Sequence, residues 1–284
     1  MARVLVLGLA VLDHRFWVDA WPPTGRMPAR AYAEELGGQG AVAAAAVARL
    51  GGAAIFAGSL GGDPAGTRVA AFLKSYGVDL RHTQVFPGGR TPVSSIAIVP
   101  GGERFITAYP GEGLPDEPYL APIDALDRTQ AVLVDSRLPR AGAVLAAAAR
   151  ARGLPVVVDF DLDSPAVWAL VRTATHIIAD EDVAARRGGA PALLESLRAD
   201  GLWGAVTLGA DGVLHADGRL PAFEVTARDT TGAGDVFHGA FALALAEGRG
   251  PEACLRFGAA AAALRCESGS VPDRRAVDRL LSSR

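Results

Sequence analysis

Arg3 to Gly8 is a near-continuous run of leucine and valine, the pattern of a strand covered on both faces, as in a parallel sheet. The next stretch is not helical. Asp13-His14-Arg15-Phe16-Trp17-Val18-Asp19, Pro22-Pro23 and then Ala29 to Leu36 read as extended chain around a turn, a small flap leaving the main sheet. Gly37-Gly38-Gln39-Gly40 opens an alanine-rich helix, Ala41 to Leu50, which Gly51-Gly52 stops. Ala53 to Gly58 is the next strand, and a helix with Pro64 in its first turn runs to about Tyr76, with Asp63 placed as its N-cap. Short strands at Thr83 to Phe86, Val93 to Val99 and Arg104 to Thr107 are divided by Pro87-Gly88-Gly89 and Pro100-Gly101-Gly102 turns and complete the flap. Beyond Gly113 the strand and helix patterns alternate: strands at Ala131 to Asp135, Val156 to Asp159, Thr175 to Ile178 and Ala205 to Leu208, with a helix at Ala141 to Arg152. The expectation is an α/β fold, a doubly wound parallel sheet in one domain over 1–284, with a small β-sheet lid from about 13–36 and 80–108.

Composition narrows the class. Half the residues are apolar, enough for a substantial core. A formal charge of −3 provides no broad basic field, which argues against nucleic acid as a partner. The longest apolar segments fall far short of the ~20 residues that span a bilayer, so no membrane association is expected. The N-terminal run reaches Asp13 quickly and lacks a cleavage-like context, and it reads as a first strand rather than a signal peptide. Cys254 and Cys266 and the scattered histidines lack structural-zinc spacing, and buried thiols in a reducing cytoplasm are expected.

The candidate chemistry lies near the C-terminal end, in Asp229-Thr230-Thr231-Gly232-Ala233-Gly234-Asp235-Val236-Phe237-His238-Gly239-Ala240-Phe241. Its glycines sit where an apolar helix begins, and the first turn of a helix offers N–H groups without partners and a partial positive charge to an anion. Asp235 in that turn either complements the helix dipole or serves as a general base beside the anion site. A second motif, Gly38-x-Gly40-x-x-Ala43 with Asp63 beyond it, fits the dinucleotide fingerprint, but that fingerprint belongs directly after the first strand, which ends near Gly8.

The string Asp-Thr-Thr-Gly-Ala-Gly-Asp-x-Phe-x-Gly-Ala resembles the C-terminal signature of the ribokinase-like (PfkB) sugar kinases. Gly37, Gly38, Ala44, Arg49, Leu50 and Gly51 match that family's first signature, with Val42 where asparagine is usual. The resemblance implies an ATP- and Mg2+-dependent kinase with Asp235 as base and an anion hole at Gly232, Ala233 and Gly234. It implies sugar binding by Asp13, Gly37, Gly38 and Asp235. Nucleotide binding would fall to Thr207, Gly209, Gly212 and Gly234, although strand, tight turn, strand is also an ordinary hairpin. Ala179 and Asp182 stand where relatives carry Asn-x-x-Glu, so Asp180 and Asp182 would hold magnesium through water, or form a solvated acidic turn. Asp159-x-Asp161 follows a strand and is a second such candidate. A monovalent cation, K+, would sit near Asp229 and Thr231.

Within the family, Gly102 to Pro110, Asp135-x-Arg137 and Arg265-Cys266 resemble the ketohexokinase and 6-deoxy-6-sulfofructose kinase branch. That likeness implies a ketose acceptor, with Arg26 and Arg137 holding an anionic far end. Both arginines read equally well as surface charges. A nucleoside kinase with an aromatic clamp from Phe16, Trp17 and Tyr109, and a sugar-binding regulator without activity, stay open as alternatives. A homodimer through the exposed apolar lid is expected.

Overall fold

Alternation along the first strand, β1 (Arg3–Leu7), divides the core: Val4 and Val6 are buried in one hydrophobic cluster, and Leu5 and Leu7 in another on the opposite face. The structure is a computed structural model and describes residues 1–22, 25–101 and 103–283. Along the chain come β2 (Val11–Val18), β3 (Ala29–Gly37), α1 (Gln39–Arg49), β4 (Ala53–Gly61), α2 (Pro64–Ser75), β5 (Asp79–Phe86), β6 (Val93–Ile98) and β7 (Arg104–Tyr109). Next are β8 (Ala131–Asp135), α3 (Pro139–Ala151), β9 (Val156–Phe160), α4 (Pro165–Val171), β10 (His176–Ala179), α5 (Glu181–Arg186) and α6 (Ala190–Ala199). The chain closes with β11 (Trp203–Thr207), β12 (Val213–His215), β13 (Gly218–Leu220), α7 (Ala233–Ala246), α8 (Pro251–Ser268) and α9 (Arg274–Ser282).

The large sheet runs β13-β12-β11-β10-β9-β8-β1-β4-β5. It is parallel from β11 to β5, and an antiparallel hairpin, β12 and β13, extends it beyond β11. The cluster on the Val4 face takes its helical residues from α1, α2, α7, α8 and α9; the Leu5 face is covered by α3, α4, α5 and α6. The expected doubly wound α/β sheet is what the chain forms.

The lid is a separate four-stranded sheet, β3-β2-β6-β7. One expectation is corrected here. Thr83 to Phe86, assigned to the lid from its short strand pattern, belongs to β5, the outer parallel strand of the large sheet, with Gly58 opposite Thr83 and Gly61 opposite Phe86. Short strand patterns in sequence do not show which sheet they join, and this one directly follows α2, the crossover helix from β4. Two of the expected turn positions, Pro23 and Gly102, lie outside the described residues.

The helix that carries the glycine motif, α7, is buried from Val236 to Ala244, and His238 is the one polar side chain in that stretch. It lies between α1 and α8, and at its closest point Gly239 faces α1 so tightly that a Cβ there would sit 2.4 Å from the Ala43 carbonyl oxygen. Gly239→Ala is expected to lower unfolding free energy by about 2 kcal/mol, whereas Gly88→Ala, in open space, should change it by less than ~1 kcal/mol. Equilibrium urea unfolding checks both, and equal stabilities would show that the α1–α7 approach does not constrain the fold.

Candidate active site

The ends of β1, β2, β8 and β9 and the N-terminus of α7 converge on one region. Gly232, the residue before α7, takes a left-handed φ of 74°, which turns the loop 229–232 into the helix. No side chain caps α7; the Ala233 amide donates to the Thr230 carbonyl at 3.3 Å, and the amides of Gly234 and Asp235 in the first turn are left for an anion. Ala233 and Gly234 open the helix, and around Gly234 nothing approaches an added Cβ within 4 Å. Asp235 follows in the same turn and lines a cavity of about 290 Å³ together with Asp13, Gly37, Gly38, Val42 and Gly232.

Asp13 comes from the lid strand β2. A Cβ on Gly37 would lie 2.3 Å from its carboxyl group, so the glycine makes room for the acid. Gly38 has φ 87°, and a Cβ there would strike the Leu9 carbonyl oxygen at 2.6 Å. The expected sugar-side residues Asp13, Gly37 and Gly38 are thus one packed unit at the cavity wall. Burial pushes Asp13 up to about 6, against the opposing hydrogen bond from Ser94. Asp235 is pushed up to about 7, first by burial and then by the negative charges of Asp135, Asp161 and Asp13; Arg265 opposes the shift.

Asp135, at the end of β8, ties together the elements behind the cavity. Its Oδ2 accepts the amides of Leu9 at 2.6 Å and Gly40 at 3.0 Å, and Oδ1 accepts the Arg137 amide at 2.9 Å. It ties β1 to the start of α1, and burial still raises it to about 6. A Cβ on Gly8 would lie 2.1 Å from its Oδ2, so Gly8 is required by the same contact. Farther along α7, His238 is buried with Nδ1 3.4 Å from Asp159 Oδ2. Burial drives His238 down to about 4 and Asp159 well above the usual carboxylate range, favouring the neutral form of each.

The two cations expected to hold an anionic sugar do not line the cavity. Arg26 is exposed in the connection between β2 and β3, and Arg137 is spent on Asp161 Oδ2 at 2.5 Å and Gln39 Oε1 at 3.2 Å. The arginines that do line it are Arg15 and Arg265. The aromatic clamp is not formed either: Phe16 packs on Tyr32, Trp17 lies beneath the Arg15 guanidinium, and Tyr109 is exposed, while Phe72 and Tyr76 line the cavity.

On the nucleotide side, Thr207 ends β11 and its hydroxyl donates to the Ala179 carbonyl at 3.3 Å. Gly209 opens a 3-10 turn, and Gly212, φ 86°, packs so closely that a Cβ would lie 2.1 Å from the Leu220 carbonyl oxygen. These three residues build the tight link between β11 and β12.

For magnesium, Asp180 Oδ1 caps α5 through the Val183 amide at 2.7 Å, and Asp182 is exposed on that helix. The better fit is the neighbouring Asp159-x-Asp161, where Asp161 Oδ1 is buried without a hydrogen-bond partner. Among the described residues no three acidic, histidine or cysteine side chains are arranged to hold a metal directly. The donor set therefore suits a hard cation reached through water. At the expected monovalent-cation site Thr231 Oγ1 is buried without a hydrogen-bond partner, but the Asp229 carboxylate is already taken. Asp229 Oδ2 is bonded to Arg15 Nη2 at 2.5 Å and faces Arg265 Nη1 at 3.4 Å, and its Oδ1 accepts the Thr231 amide at 2.9 Å.

The functional residues missed from sequence are Arg15 and Asp229 as a pair, and Asp135 as an amide receptor. Arg15 had a signal, because it lies two residues from Asp13 in a strand and so shares its face.

Two layers of helices on a parallel sheet, a lid sheet, and a cavity between them ending on a bare helix N-terminus define the architecture of a sugar kinase. The chain belongs to the pfkB family of carbohydrate kinases, whose sequence model matches residues 1–273. It is accordingly a phosphotransferase with an alcohol group as acceptor. It is 28% identical to ribokinase of Bacillus subtilis over 99% of this chain and 100% of that protein. It is 30% identical to an ATP-dependent ribose-1-phosphate kinase of Halopiger xanaduensis, over 100% and 99% respectively. The structure of Arabidopsis thaliana ribokinase complexed with ribose and ATP superimposes with a TM-score of 0.85, at 27% identity and 99% coverage of each chain. No described helix is long and apolar enough to cross a membrane.

Proposed function

We propose that the protein transfers the γ-phosphoryl group of ATP to a primary hydroxyl of a neutral sugar of ribose or fructose size. The observation that carries this reading is the placement of Asp13 and Asp235 around one cavity whose floor is the uncapped N-terminus of α7. Asp13 binds sugar hydroxyls and orients the ring. Asp235, deprotonated, accepts the proton of the attacking hydroxyl as its oxygen forms the new bond to phosphorus and the bond to the ADP oxygen breaks. The amides from Gly232 to Gly234 stabilise the charge on the transferring phosphoryl oxygens. Magnesium, when bound, neutralises the β- and γ-phosphate charge, and Asp161 with Asp159 and Asp180 would hold its water shell. Thr207, Gly209 and Gly212 are assigned to the nucleotide side.

The charge balance supports a neutral acceptor. Asp13, Glu34, Glu35 and Asp235 outnumber Arg15 and Arg265 at the cavity, and Arg15 is bonded to Glu35 and Asp229. The similarity to ribokinases, one of them solved with ribose and ATP, supports the same size class. A ketose is supported by the resemblance and by 31% identity to a fructokinase of Zea mays over 75% of this chain. An anionic sugar is the second reading, favoured by the similarity to the ribose-1-phosphate kinase. Phosphorylation by purified protein of ribose, fructose, ribose 1-phosphate, fructose 6-phosphate, 6-deoxy-6-sulfofructose and adenosine decides among them. A kcat/KM for ribose or fructose at least ~10-fold above the anionic compounds is expected; the reverse order would reject the neutral acceptor, and turnover of adenosine alone would make the protein a nucleoside kinase.

Because Asp235 must be deprotonated to accept a proton, kcat/KM should fall on the acid side with a limb near pH 7, about tenfold per pH unit below it. A profile flat down to pH 5 would remove Asp235 as the base. We also propose that a second copy covers the lid, where Tyr32, Phe105, Ile106 and Tyr109 are exposed on the outer strands β3 and β7. Light scattering should give the mass of a dimer for the wild type and of a monomer for Phe105→Glu; a monomeric wild type would contradict this.

A further inference from the structure

Asp229 opens the loop that ends at Asp235, and two buried arginines converge on its Oδ2. Arg15 reaches it from the lid strand β2, and its other arm donates to Glu35 Oε2 at 2.7 Å. Arg265 reaches it from the last turn of α8, and its Nε lies 3.9 Å from where a Cβ on Gly232 would be, so the guanidinium borders the turn that starts α7. The two side chains are 3% and 7% exposed, too buried to be surface charges. A carbonyl of α8 is also taken: Cys266 accepts the amides of Arg228 at 2.8 Å and Asp229 at 3.2 Å. The loop is therefore held by charge from both sides. The Arg15 and Arg265 guanidinium groups face the carboxylates of Asp229 and Glu35, and a third guanidinium, that of Arg104 on β7, donates to Thr230 Oγ1 at 2.5 Å.

We infer that Arg15 and Arg265 are positioning residues for phosphoryl transfer that stand in place of a monovalent cation beside the 229–232 loop, so that turnover requires no K+. The inference rests on the proposed kinase activity. A potassium ion entering this region would have to evict a buried guanidinium from a carboxylate, leaving an unpaired buried charge. The Asp229 carboxylate and the Cys266 carbonyl already accept hydrogen bonds, and Thr231 Oγ1, buried without a partner, is a single oxygen that does not by itself make a cation site. Arg15 belongs to the lid and Arg265 to the body, so the same carboxylate also sets where the lid meets the anion-binding turn.

The test compares ATP consumption by the purified protein in choline chloride and in KCl at equal ionic strength. Thallium-205 NMR on the same sample reads cation binding independently of turnover. Rates in the two salts should agree within about twofold, with no saturable Tl+ binding at millimolar concentration. Activation by K+ of roughly tenfold or more, or saturable Tl+ binding abolished by Asp229→Asn, would overturn the inference. Arg265→Ala should lose at least ~10-fold in kcat in choline chloride with a smaller change in the sugar KM. Millimolar guanidinium or KCl should restore part of that loss, and Arg265→Lys should keep more activity than the alanine variant. An alanine variant as active as wild type in choline chloride would remove the positioning role. Absence of turnover with every sugar in every salt rejects the kinase reading instead, and the thallium measurement then decides the cation site on its own.

Discussion

The structure depends on one close approach of backbone to backbone. An apolar helix, α7, is pressed against α1 at Gly239 with no room for a side chain, and this fixes where its first turn lies relative to the ends of the parallel strands. A helix N-terminus has value as an anion site only if its amides stay unpaired and correctly aimed. Here the aim is set by burial of the rest of the helix; the Ala233 amide donates to the Thr230 carbonyl, and glycine and alanine at 232–234 supply no side chain to cap the others. The hydrophobic core and the site are thus parts of one constraint.

Around that turn the fold gathers carboxylates that would repel one another in water-poor surroundings. The chain manages them in different ways. Asp135 is tied down by three amides, Asp229 by two guanidinium groups and an amide, and Asp13 and Asp235 are left without a cationic partner in hydrogen-bond contact, with their proton affinity raised by burial. The acids that are tied down hold backbone, and those left free face the cavity. This division supports the assignment of Asp13 and Asp235 to substrate, and it shows why neighbouring aspartates of one site need not share a role.

Much of this was legible in sequence. The alternation of buried strands and glycine-stopped helices gave the layer order, and the Gly232 to Asp235 string located the helix start. Asp63 is the N-cap that its position before Pro64 predicts, accepting the Gly66 amide. What sequence could not supply was partnership across the sheet. Arg137 and Arg26 carry the right charge for an anionic substrate, yet one is neutralised by Asp161 and the other sits out in the lid connection, and neither fact has a local signature. The Arg15–Asp229–Arg265 group joins residues far apart in the chain. Only the parity of Asp13 and Arg15 along one strand hinted at half of it. Likewise, the pattern of Thr83 to Phe86 says strand, and only the path of the crossover helix says which sheet.

The central claim is that Asp235 is the base that accepts the hydroxyl proton at the α7 N-terminus. Single-turnover phosphorylation by Asp235→Asn, with ATP binding and thermal unfolding followed on the same preparation, tests it most directly. The account predicts wild-type nucleotide affinity and a folded protein, with the rate of phosphoryl transfer reduced by about 100-fold or more. A variant that binds ATP and transfers its phosphoryl group at the wild-type rate would contradict it.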